Sequence, residues 1–207
     1  MTEATGAADP SAWLHLGAPD LTDLRAFHTT GRRITPAELL LYVEADLQIR
    51  DGDAVLFNEP RFEVAELAAE LVAWVGDGSK PAEGFVHSPD AYAEPGVIRI
   101  TQTRHGWVAG SCFTTATTAP RDWETVRDSI GTFMAEVRVL TARSMLDAGW
   151  SLIETIAALC RGFGLSIPES RSIVLPVSGR EREFWDFQER FWDAVETFGA
   201  KDDPKKA

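Results

Sequence analysis

Four histidines, at positions 15, 28, 87 and 105, and one serine that follows a glycine, Ser111, are the side chains whose types could ligate a metal, pass a proton or attack a carbonyl. Their spacing argues against all three roles. No two histidines fall at metal-ligand spacing on a helix, and none adjoins a cysteine or an acidic cluster. Ala109-Gly-Ser-Cys-Phe113 lacks the second glycine of a nucleophile elbow and lies within a strand pattern, so sheet packing is the expected role of Ser111. Gly162-Phe-Gly164 precedes a helix, as a phosphate loop does, but it follows a helix and lacks a third glycine and a lysine; helix capping is expected there. No catalytic residue, metal or cofactor is therefore expected, and an enzyme built on Glu94 or His105 is the weakest of three functional readings.

Contact chemistry is better represented. Asp46, Asp51, Asp53, Glu59, Glu63 and Glu66 follow one another closely, and carboxylates so placed could meet an arginine- or lysine-rich partner through charge-assisted bonds. The bland alternative is a solvated face with helix-start acids favoured by the dipole. Near the C-terminus Phe184, Phe187, Phe191, Val195 and Phe198 form a stripe at helical spacing, with Trp185 and Trp192 seven apart on its flank. That flank would dock a partner or a second copy, making a homodimer, or would pack on the body of the fold. The expected partner-binding residues are thus Asp46, Asp51, Asp53, Glu59, Glu63, Trp185 and Trp192.

Composition narrows the partner class. A net charge of −12 with pI near 4.8 repels phosphate backbones and anionic lipid, so neither nucleic acid nor membrane is expected, and a basic protein is favoured. Hydrophobic content of 44% with seven Trp and eleven Phe argues for a packed core. Cys112 and Cys160 stand in apolar surroundings and form no paired motif, no secretory pattern opens the chain, and a cytoplasmic location is expected.

The elements that would position these residues read as an α+β fold. Leu39 to Phe57 alternates around Asp51-Gly52 and predicts a hairpin that pairs Arg50 with Asp53 and Leu47 with Leu56, with Leu41, Val43, Ala45, Leu47, Ile49, Ala54 and Leu56 facing inward. Val64, Leu67, Ala68, Leu71 and Val75 predict a helix over 62–75. A second hairpin is expected over 96–114 around His105-Gly106, placing Ile98, Ile100, Trp107 and Phe113 on the core face, after a short strand at 84–87. Asp122 then caps a long helix carrying Val126, Ile130, Phe133, Val137 and Leu140. The order predicts an antiparallel sheet of two hairpins backed by two helices, followed by a C-terminal helical appendage. Its divisions are a loose N-terminal arm (1–33), with at most a short helical turn at 20–28, an α+β domain (34–148), a helical region (149–200) and a tail (201–207). In the helical region Ser151 to Cys160 is one helix, Ser166-Ile-Pro-Glu169 starts a second that Pro176 and Gly179 break near Val174, and a third spans 181–198.

Two family resemblances add to this. Asn58-Glu59-Pro60-x-Phe62 before a Glu66-Leu67-Ala68 helix, Glu94-Pro95-Gly96 leading into a strand, and Trp107-x-x-Gly110-Ser111 resemble small bacterial α+β families found among polymorphic-toxin immunity proteins. That resemblance implies a non-catalytic, antitoxin-like protein that neutralises a partner, such as a basic toxin domain, by occluding its surface. Leu159-Cys160-Arg161, Gly164-Leu165 and Glu169-Ser170-Arg171-Ser172-Ile173-Val174 resemble the helical hairpin of the ribosomal stalk protein C-terminal domain, although Ala157 and Arg171 stand where that family usually carries its factor-binding lysines. The alternative it implies is an adaptor recruiting a cellular factor through the 152–174 hairpin.

Overall fold

A computed structural model describes residues 12–31, 34–180 and 182 of the chain. Strands β1 (Leu14–Asp20), β2 (Glu44–Asp51) and β3 (Ala54–Glu63) form one antiparallel sheet in that order, and β4 (Phe85–His87), β5 (Ile98–Thr103) and β6 (Gly106–Gly110) form another. The fold is α+β with its strands antiparallel, but the two hairpins lie in separate sheets rather than one: the first gains β1, and the expected short strand near 84–87 joins the second as β4. Helices α3 (Val64–Val75) and α4 (Trp123–Asp147) hold the two sheets together, since α3 touches β2 and β4 while α4 touches β1 and β6. One core results. Ala45, Leu47 and Ile49 of β2, Val64, Leu67 and Leu71 of α3, Ile98 and Ile100 of β5, and Val126, Ile130, Phe133 and Val137 of α4 are all buried in it. Trp74 meets Trp107 and Trp123 edge-on at 5.6 and 5.4 Å, and the indole N–H groups of Trp74 and Trp123 donate to the carbonyls of Glu83 and Gly78.

The N-terminal stretch is not a loose arm from Ala12 onward. Leu14 pairs with Ile49 and Asp20 with Glu44 along the edge of β2, Trp13 and Leu24 are buried, and α1 (Thr22–Thr29) follows directly. The apolar residues there carry no period because β1 breaks register between Leu16 and Pro19. Leu39 to Tyr42 is also not strand. Thr35 accepts from the Glu38 amide and Glu38 caps in return, with Pro36 in the first turn, so the segment becomes α2 (Pro36–Tyr42) and Leu41 stays exposed.

Both hairpins close one residue away from where they were expected. The first turns at Gly52-Asp53, pairing Asp51 with Ala54, because Gly52 takes the positive φ at the first central position that a primed turn allows. A bulge then pairs Ile49 with Phe57, burying Phe57 in place of Leu56 and leaving Ala54 exposed. The second turns at Arg104-His105, where the Thr103 hydroxyl donates to the Gly106 carbonyl and accepts from the His105 amide. Gly106 serves another purpose: a Cβ there would lie 2.6 Å from the Arg121 carbonyl, which accepts the Trp107 amide. The register shift is of two residues, so Trp107 and Ala109 still face inward, but Phe113 falls beyond the strand and is 51% exposed.

Asp122 caps α4 by accepting from the Thr125 amide. Helices α5 (Leu152–Phe163) and α6 (Ile167–Ser178) pack on α4 around Ala142, Leu159 and Val174, and both begin with full capping boxes at Ser151 and Ser166. Pro176 does not end α6. It sits in the last turn, and buried Val174 and Leu175 hold the helix in place to the left-handed Gly179 despite the lost hydrogen bond. The expected final helix, with Trp185 and Trp192, lies outside the described residues apart from Arg182.

Candidate functional site: an acidic and aromatic seam

The bulge in β3 builds the site. Leu47 opposes Glu59 but Ala45 opposes Phe62, so β3 carries one more residue than β2 across this step. Arg61 takes up the excess at φ +54, a left-handed conformation unusual for a side chain of its size. The turn aims its guanidinium at Asp20 (2.9 Å) and Glu44 (3.1 Å), at the ends of β1 and β2. Hydrogen bonding to Glu44 and the charges of Glu44, Asp20 and Asp23 raise the Arg61 pKa further above its ordinary value. Asp20 is held below the carboxylate range first by its bonds from Thr22 and then by Arg61.

Glu59, opposite inward-facing Leu47, is half-buried at the margin of the core. There it meets Tyr92, from the loop after β4. Burial, the bond to the Glu59 carboxylate, and the charges of Glu59 and Glu63 raise the Tyr92 phenol above its usual value. The Tyr92 ring lies 6.2 Å from Phe62 and 6.0 Å from Phe113, and Phe113 stacks on Phe57 at 6.4 Å with the planes 9° apart. Phe113 is fixed from behind: its amide donates to the buried Ser111 hydroxyl, the Cys112 amide to the Gly96 carbonyl, and Arg99 to the Ser111 carbonyl. An exposed aromatic thus lies against the tyrosine whose phenol meets the Glu59 carboxylate.

Glu63 completes the edge at the start of α3. Burial, then the neighbouring Glu66 by charge and hydrogen bond, then Glu44 and Asp90, raise its pKa above the ordinary glutamate value. A cation brought to this point would relieve that repulsion. Chemically, the seam offers carboxylates and ring faces, the two surfaces that attract guanidinium and ammonium groups.

The other expected contact acids are dispersed. Asp51 is used internally, accepting from the Ala119 amide at 2.9 Å with Arg121 at 3.7 Å. Asp46 lies over Gly17, where no Cβ would fit, and Asp53 is exposed in the first turn. The histidines stand apart: His15 bonds the Ala12 carbonyl, His28 faces the Trp150 ring at 5.5 Å, His105 accepts from Arg104, and buried His87 is 2.6 Å from Glu70. Among the described residues no three His, Cys, Asp or Glu side chains group as a metal ion would require, and no helix is long and apolar enough to cross a membrane. Sequence reasoning missed Tyr92, Phe113 as a surface residue, and Arg61. The Glu59-Pro60-Arg61 break in alternation was the available signal for the last.

Residues 24–139, from α1 to the C-terminal half of α4, match a family described as a domain of unknown function, DUF7878. The match covers more than half of the chain, and the chain belongs to that family. It includes the whole seam except Asp20 and Asp23, and it stops before α5 and α6. No curated protein matches the chain, and no solved structure does.

Proposed function

We propose that this is a non-catalytic protein-binding protein of the antitoxin or immunity type, cytoplasmic, which neutralises a basic partner by covering its working surface. The observation that carries this reading is the exposed Phe113 ring, stacked on Phe57 and set against Tyr92, whose phenol meets the Glu59 carboxylate and feels the charge of Glu63. Neighbouring acids of the same edge already hold a guanidinium within the chain, since that of Arg61 rests on Asp20 and Glu44. An arginine or lysine from a partner would lie over Phe113 and Tyr92 with its charge toward Glu59 and Glu63. Exposed aromatics on fixed mounts are the residues on which binding energy concentrates.

The test is calorimetric titration of the purified protein with the product of the neighbouring gene, at two salt concentrations. Binding should weaken with salt and fall at least tenfold in Phe113→Ala and in Glu59→Gln/Glu63→Gln. Undiminished binding by both variants would show that the seam is not the contact surface.

A second reading, the stalk-like adaptor, has its own support in Ile153 and Ile167, which are 79% and 67% exposed on α5 and α6. Leu165 and Ile173 pack on the Ala142–Leu159–Val174 cluster, so the discriminating substitutions are Ile153→Asp and Ile167→Asp. They would abolish factor binding in an adaptor and leave a seam-bound partner in place.

A further inference from the structure

We infer that Arg61 is an internal stand-in on the seam: its guanidinium holds, between Asp20 and Glu44, the place that an arginine of the basic partner takes on binding. The inference rests on the protein-binding reading above and adds to it the contact that a partner must displace. The register of the first sheet sets that place. Asp20 pairs with Glu44 and Glu44 pairs with Glu63, so three carboxylates stand in one row across β1, β2 and β3. Cross-strand neighbours have their Cβ atoms about 5 Å apart, and like charges so placed repel one another. The row joins the rest of the seam through Glu63, whose charge acts on the Tyr92 phenol.

Arg61 answers this row only in part. Its Nε lies 2.9 Å from Asp20 and 3.1 Å from Glu44, so one N–H is shared between two carboxylates, whereas the five donors of a guanidinium fork can give each carboxylate its own. The left-handed backbone at φ +54 fixes the direction in which the side chain leaves β3, so it cannot turn its fork to the row without disturbing the bulge. Among the described residues the charges acting on Glu63 are those of Glu66, Glu44 and Asp90, all negative. Arg61 is also the outermost member of its group: its side chain is 57% exposed, over acids that are 24% and 17% exposed. Ion pairs so open to water contribute little net stability, and exchanging one costs little. An arginine that approaches fork-first therefore bonds Asp20 and Glu44 better than Arg61 does and releases Arg61 to solvent. Until then the same contact lowers the negative charge that the seam presents to other cations.

The test is calorimetric titration of the full chain with a short arginine–glycine peptide, acetylated and amidated, for the parent, Arg61→Ala, Arg61→Gly and Arg104→Ala. Arg61→Gly suits the left-handed turn and guards against a bulge that fails to form. Arg104 is exposed at the tip of the β5–β6 hairpin, beside Arg121 and the Asp51 turn and so the length of β2 away from Glu44; its removal changes the net charge equally, away from the row. Both Arg61 variants are expected to bind about fivefold or more tighter than the parent and than Arg104→Ala, and to lose that gain when Asp20→Asn/Glu44→Gln is added. Equal affinities in the Arg61 and Arg104 variants overturn the inference, as does a gain that survives the loss of Asp20 and Glu44. Weaker binding by the Arg61 variants overturns it too, by making Arg61 a support of the seam and not its occupant. The protein-binding reading fails on a different result, undiminished binding of the neighbouring gene's product by Phe113→Ala and Glu59→Gln/Glu63→Gln, and neither of those variants enters this comparison.

Discussion

The Arg61 guanidinium lies 3.1 Å from the Glu44 carboxylate because the Arg61 backbone is left-handed, at φ +54. The conformation and the contact can be separated by substitution. Arg61→Ala loses the ion pair and keeps the backbone strain, whereas Arg61→Gly loses the ion pair and the strain together. Arg61→Gly is expected to be the more stable of the two by about 1 kcal/mol, read from urea denaturation midpoints at constant slope. Equal midpoints would mean that the bulge does not impose the turn at residue 61.

Two glycines make opposite predictions. Gly106 has φ +134, and a Cβ there would sit 2.6 Å from the Arg121 carbonyl that accepts the Trp107 amide. Gly106→Ala is expected to cost roughly 2–4 kcal/mol, because the bridge between β6 and residue 121 must open or shift. Gly131, in the middle of α4, has open space at its Cβ position. Gly131→Ala should stabilise the protein by roughly 0.5–1 kcal/mol through helix propensity alone. Thermal unfolding of the two variants beside the parent checks both signs.

What could be read from the chain, and what could not, divides along the distance over which each contact acts. Asp122 with Thr125, Ser166 with Glu169, and the Val64–Leu67–Leu71 stripe are interactions within a few residues, so their pattern is written locally. The left-handed stop at Gly164 is equally local. The strand β1 is different, since Leu14 becomes a strand residue only because Ile49 offers it an edge. The same holds for the site. Glu59 and Glu63 were visible as acids, but Tyr92 reaches Glu59 from a loop thirty-three residues on, and Phe113 is exposed because β6 ends before it. Arg121 and Asp51 were far apart in sequence, and their proximity removes Asp51 from the free surface.

The capping boxes at the C-terminal hairpin carry a prediction of their own. The Ser151 hydroxyl accepts from the Glu154 amide at 3.3 Å while Glu154 accepts from the Ser151 amide at 3.0 Å, and Ser166 with Glu169 repeats the arrangement. Ser151→Ala and Ser166→Ala are each expected to cost about 1 kcal/mol. Their effects on chemical denaturation should add, since the two caps share no partner. Hydrogen exchange in the first turns of α5 and α6 would show each loss confined to its own helix.

Glu63 gives the pH dependence a definite sign. Its folded-state pKa is raised by burial, Glu66, Glu44 and Asp90, so between the ordinary glutamate value and the raised one the folded protein binds more protons than the unfolded chain. In that window stability falls as pH rises, and at neutral pH the ionised Glu63 works against folding. Glu136, whose pKa is raised by burial, contributes in the same direction. Glu63→Gln removes only the first contribution: it should be more stable than the parent at pH 7, lose that advantage as the pH falls below the ordinary glutamate value, and show a shallower slope between. A cation docked on the seam lowers the Glu63 pKa, so binding a basic partner in this window should release protons. Titrations in buffers of different ionisation enthalpy measure that release, and Glu63→Gln should reduce it. A parent and variant with parallel stability profiles across the window would show that Glu63 ionises as it does in the unfolded chain, and that the seam holds no unrelieved charge for a partner to meet.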